Sequence, residues 1–127
     1  MNEGYIRFKA LDIPIYRGKF IIIVSNDANK VKKYLPEFRD KSPYAHTWQI
    51  NWNGNQGFAV VFNFENEHRP IFNGTIAHEA LHVVDFILED RGVQPDFIND
   101  EPSAYLLEWI VDEIYRFCEK YSFKPTM

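Results

Sequence analysis

A mixed α+β domain, in which a small sheet packs against two helices in the C-terminal half, is the fold class that the sequence predicts. Three observations carry this. In the first half of the chain, short runs of strand character alternate with turn signals. In the second half, apolar residues recur at helical spacing along two long segments. The length, 127 residues, 46% of them hydrophobic and 17% aromatic, suits one packed core rather than a disordered chain. No repeat, linker or low-complexity stretch divides it, so residues 1–127 are read as a single domain.

The elements follow in order. "YIRFKAL" and "KFIIIVSND" read as strands separated by the turn-prone "DIPIYRG". The second is continuously apolar, as expected of a strand inside a sheet. A short helix is predicted from Ala28 to Phe38, with Val31, Tyr34, Leu35 and Phe38 at helical spacing and lysines on the other side. "HTWQINW" and "GFAVVFNFE" flank "NGNQ", a hairpin signal. A helix from about Gly74 to Arg91 is predicted next, with Asn73 as N-cap and Gly92 as stop. Its apolar arc comprises Ile76, Ala77, Ala80, Leu81, Val84, Ile87 and Leu88, and His78, His82, Asp85 and Glu89 form a stripe outside it. The last helix begins near Asp100 or Glu101, where Pro102 in the first turn does no harm. Leu106, Leu107, Ile110, Val111, Ile114, Phe117 and Cys118 form its apolar arc, and Glu101, Tyr105, Glu108 and Asp112 the opposite stripe.

Chemistry concentrates in "HEALH". Four residues apart on a helix, His78 and His82 lie on one face about one turn apart, near enough to converge on one cation. Glu79 projects about 100° round from His78, beside that direction. This is the HExxH arrangement, in which two imidazoles bind zinc and the carboxylate takes a proton from the activated water. Catalytic zinc takes three protein ligands and keeps one position for water. The segment "GVQPDFIN" is long enough to return the last helix antiparallel and set Glu101 near His82. Glu108, Asp100 and Asp85 are rivals for the third position; Asp85 also suits a hydrogen-bond acceptor for a ligand histidine. Tyr105, one turn from Glu101, is a candidate oxyanion stabiliser.

HExxH followed 19 positions after its second histidine (101 − 82) by a glutamate at a helix start resembles the gluzincin pattern of zinc metallopeptidases. "HEALH … EPSAYLLEW" is more particularly similar to the small metallopeptidase-like domains of phages and bacteria, including the repressor-cleaving type. Their ligand helix reads Glu, two residues, Ala, then an apolar run, matched here by Glu101 and Ala104. The resemblance covers about Asn73 to Phe117, roughly a third of the chain. It implies a minimal zincin-like domain with His78, His82 and Glu101 as zinc ligands and Glu79 as catalytic base. It also implies that an edge strand beside the metal helix holds an extended peptide, a role for the hairpin from His46 to Glu65.

The expected function is therefore zinc-dependent hydrolysis of peptide bonds in a peptide or one specific protein, with Zn²⁺ as the cofactor. A non-catalytic interaction domain with a structural or relic zinc site is the alternative, and hydrolysis of a non-peptide amide is chemically equivalent. Other features narrow the partners. His46 and His68 are read as surface residues, His68 being the nearer to a cleft. Cys118, the single cysteine, belongs to an apolar arc and excludes an internal disulfide. A net charge of −4 without a dense basic block speaks against nucleic acid. With no basic leader and "FIIIV" as the longest apolar run, a cytoplasmic protein without membrane contact is expected.

Overall fold

The computed structural model describes residues 4–38, 44–64, 71–121 and 125–126. Four strands form one mixed sheet: β1 (Ile6–Asp12), β2 (Lys19–Ser25), β3 (Ala45–Trp52) and β4 (Asn55–Asn63), in the order β1-β2-β4-β3. β1 runs antiparallel to β2, β2 parallel to β4, and β3 antiparallel to β4. β2 and β4 are buried nearly throughout because both of their faces are covered, which is why their sequences are continuously apolar rather than alternating. β3 and β4 meet through Asn53 and Gly54, both at positive φ as a two-residue primed turn requires, and Asn51 Oδ1 accepts from the Gly54 N–H at 2.8 Å.

One sheet face carries α1 (Ala28–Lys32), with Val31, Leu35 and Phe38 packed on Ile21, Ile23, Ala59 and Val61. α1 is shorter than the predicted helix from Ala28 to Phe38. Pro36 disfavours the helical conformation at Leu35, and the chain continues in turns that still bury Leu35 and Phe38. The other face carries α2 (Asn73–Asp90) and α3 (Glu101–Lys120), whose buried residues meet Phe20, Ile22, Val24, Phe58, Val60 and Phe62 in the larger core. The α+β class and the order of the main elements are as the sequence predicts. Two further two-residue strands, β5 (Ile71–Phe72) and β6 (Pro125–Thr126), pair in parallel beside the start of α2.

α2 ends as its sequence indicates: Gly92 takes φ +71 and its N–H donates to the Glu89 carbonyl, while the Val93 N–H reaches the Leu88 carbonyl. Its start differs. The helix begins at Asn73 with Phe72 in the capping position, and Asn73 Oδ1 is buried without a hydrogen-bond partner among the described residues, so Asn73 is not the N-cap. The buried arc is also rotated from the predicted one. Glu79 and Val83 point inward, while Ala77 is exposed and Leu81 is 51% exposed. α3 keeps its predicted arc and adds a buried glutamate, Glu113.

Among the described residues no helix is long and apolar enough to cross a membrane. Cys118 is buried in the α3 core, and burial pushes its thiol up to about 12 from 9.0.

Candidate metal centre

α2 packs over β3 and β4, the edge side of the sheet, and its N-terminal half carries the HExxH residues. His78 and His82 project from the exposed side, with rings 4.7 Å apart and nearly perpendicular. Their Nε2 atoms lie 3.2 Å apart. Two nitrogens bound to one tetrahedral zinc at their usual distances are separated by about 3.3 Å, so the separation of the pair matches that of two ligands of a common cation. Without a metal, the same separation suits a hydrogen bond in which one neutral imidazole donates to the other.

Glu79 lies on the inner side of the same turn and is 5% exposed. Its Oε1 accepts from the Thr47 hydroxyl at 2.8 Å, and its Oε2 stands 3.8 Å from His78 Nε2. The Thr47 hydroxyl also lies 3.3 Å from the Glu79 carbonyl, so one β3 side chain reaches both the carboxylate and the backbone of the helix turn. The carboxylate is thus held between the edge strand and the imidazole pair. Sequence reasoning missed Thr47, although the signal was present: Trp48, Ile50 and Trp52 fill one face of β3, so the alternation turns Thr47 to the other, toward α2.

The other candidates are placed as follows. Glu101 and Tyr105 line a cavity with Pro14, Ile15 and Tyr16 of the β1–β2 turn, and neither His78 nor His82 lines it. Glu108 is exposed on α3. Asp85 borders a second cavity with Leu88, Glu89 and Ser103, which also shows that the start of α3 meets the end of α2 in an antiparallel hairpin. No hydrogen bond from His78 or His82 reaches Asp85 among the described residues. His46 lies on the sheet face opposite α2, its ring edge-on to Trp48 at 4.5 Å. His68 and Glu65 lie outside the described residues.

The structure therefore brings His78, Glu79 and His82 together and does not bring Glu101 to them. No cluster of three His, Cys, Asp or Glu suited to a metal ion is present among the described residues. Chemically, the arrangement offers two exposed imidazole donors on one point and, beside them, a carboxylate sheltered from bulk water. Comparison of the chain with protein families, with curated proteins and with solved structures returns no match.

Proposed function

We propose that this chain is a zinc-dependent metallopeptidase. The observation that supports the reading best is the pair of Nε2 atoms at 3.2 Å with the Thr47-anchored Glu79 carboxylate beside them. His78 and His82 would hold the metal. The resemblance to gluzincins gives Glu101 as the third ligand, with Glu108 as its rival on the same helix stripe; Glu101 faces a different cavity in this structure, so α3 would have to shift to bring either carboxylate to the metal. Zinc bound there would supply a Lewis acid that polarises the scissile carbonyl and lowers the pKa of a water to about 7.

The chain's own residues would do the rest. Glu79 receives the proton of the attacking water and passes it to the leaving amine. Thr47 holds Glu79 by one oxygen and leaves the other on the imidazole side. β3 ends the sheet order, so its outer edge offers backbone groups to an extended peptide alongside α2. A cytoplasmic location, with no membrane or nucleic-acid partner, belongs to the same proposal.

The test is metal content per chain in protein purified without a histidine tag, for the native chain and for His82→Ala, Glu101→Ala and Glu108→Ala. About one zinc per chain, lost in His82→Ala, supports the site. Loss in Glu101→Ala or in Glu108→Ala assigns the third ligand. No zinc in the native chain, and no uptake on addition, removes the peptidase reading in favour of the non-catalytic interaction domain.

A further inference from the structure

At the end of the molecule where the β1–β2 turn meets the start of α3, Pro14, Ile15, Tyr16, Tyr105, Leu106 and Trp109 line a cavity of about 500 Å³. That size falls in the range of ligand-binding pockets, and its walls are mostly apolar. Apolar surface continues beyond the rim. Ile15 is 92% exposed, and Phe97 and Ile98, in the segment leading into α3, are 99% and 98% exposed. Ile15 lines the cavity, and Phe97 and Ile98 immediately precede its lining residue Asn99 in the chain; several exposed large apolar side chains on adjoining segments mark an interaction surface, whereas a single one does not. Ile15 is moreover held at φ +68, a conformation costly for a β-branched residue. Its turn is fixed from behind, where Arg91 Nε donates to the Tyr16 carbonyl at 2.6 Å.

Charge decides what fits there. From Gly92 to Tyr115 the chain has the carboxylates Asp96, Asp100, Glu101, Glu108, Asp112 and Glu113, and no Lys, Arg or His. Glu113 turns inward to Arg116 and Lys9, and the other five are exposed. Two cations stand close to the lining: Arg17, next to Tyr16 in sequence, and Arg91, bonded to the Tyr16 carbonyl and paired with Asp90; the carboxylates outnumber them. A second copy of the chain would set this acidic surface against itself, which like-charge repulsion disfavours. A segment carrying both apolar and basic side chains satisfies cavity and charge together. Its cation would also find aromatic rings at Tyr16, Tyr105 and Trp109.

We infer that this cavity docks a segment of a partner protein whose apolar side chains enter it and whose lysine or arginine meets Glu101 in the lining, within a stretch of chain that is otherwise acidic. His78, Glu79 and His82 do not line the cavity, but Glu101 does, so this docking and the third-ligand role given to Glu101 compete for one carboxylate, and the titration is run on the zinc-free chain.

The experiment titrates the ¹⁵N-labelled chain with short peptides of leucine, phenylalanine and lysine, and with the same peptides carrying glutamate for lysine. The three indole N–H signals localise binding, because Trp109 lines the cavity while Trp48 and Trp52 pack on the opposite sheet face. The lysine peptides shift Trp109 alone and bind about tenfold or more tightly than the glutamate peptides. Ile15→Gly weakens binding about tenfold while its melting temperature holds or rises, since glycine accepts the positive φ. Equal binding of the two peptide sets, or no Trp109 shift up to about 1 mM peptide, overturns the proposal. A concentration-dependent dimer that is abolished by Ile15→Gly overturns it too, by assigning the cavity to a second copy.

Discussion

Two glutamates are buried on the helical side of the sheet, one in each long helix, and their surroundings differ. Glu113 of α3 is 8% exposed, and its carboxylate meets Arg116 Nη1 at 2.9 Å and Lys9 Nζ at 4.0 Å. Cations from the same helix and from β1 offset its desolvation, and the group ties α3 to the sheet. Glu79 of α2 is equally buried, yet among the described residues no lysine or arginine pairs with it; its neighbours are a hydroxyl and an imidazole. A carboxylate withdrawn from water without a compensating cation costs stability. The comparison teaches that two glutamates equal in burial can differ wholly in partners, one neutralised by cations and the other held by a hydroxyl beside an imidazole.

The largest effect expected from this difference is catalytic. Glu79→Gln keeps the shape and the Thr47 contact but removes the proton acceptor. Peptide hydrolysis should fall about 10³-fold with zinc content unchanged, as measured on one preparation by a peptidase assay and metal analysis. Retained hydrolysis would return Glu79 to the same class as Glu113. Thr47→Val comes next. It removes the hydroxyl that donates to a buried carboxylate, at a cost of about 1–3 kcal/mol in urea unfolding, and Thr47→Ser should recover most of the loss. Glu113→Gln sharpens the contrast from the other side. Because Arg116 and Lys9 are largely exposed, solvent screens the pair, and the expected loss is about 1 kcal/mol or less, without effect on zinc.

Much of this arrangement was legible in the sequence where interactions are local. The spacing of His78 and His82, the turn at Asn53 and Gly54, the stop at Gly92 and the arc of α3 all depend on residues within a few positions of each other. What the sequence concealed is non-local. Thr47 and Glu79 are separated by 32 positions, and only the packing of α2 over β3 makes them partners. The rotation that exposes Leu81 and buries Glu79 follows from the same packing, since hydrophobicity alone assigned the helix face the other way. Glu101 was set near His82 by loop length, and the structure turns it instead to a cavity shared with the β1–β2 turn, whose shape depends on positive φ at Ile15 and Arg17. Pro36, by contrast, was readable as a limit on α1.

The smallest expected effect concerns Cys118, five residues beyond Glu113 and buried with α3 in the core. If the α3 side of the comparison is structural, its one thiol should be inert. Burial supports this by raising the thiol to about 12. The sign follows from linkage: with the folded value above the unfolded one, near 9.0, the folded chain retains a proton that the unfolded chain releases as pH rises between them. This contribution is therefore complete below about pH 9 and is lost progressively toward pH 12. Alkylation by iodoacetamide at pH 8 should proceed only through opening of the α3 core and slow further under conditions that stabilise the fold. Cys118→Ala should remove its share of the alkaline loss of stability while leaving metal content at neutral pH unchanged. Rapid labelling of the native chain at pH 8 would show an accessible thiolate and end the view of the buried face of α3 around Glu113 and Cys118 as purely structural.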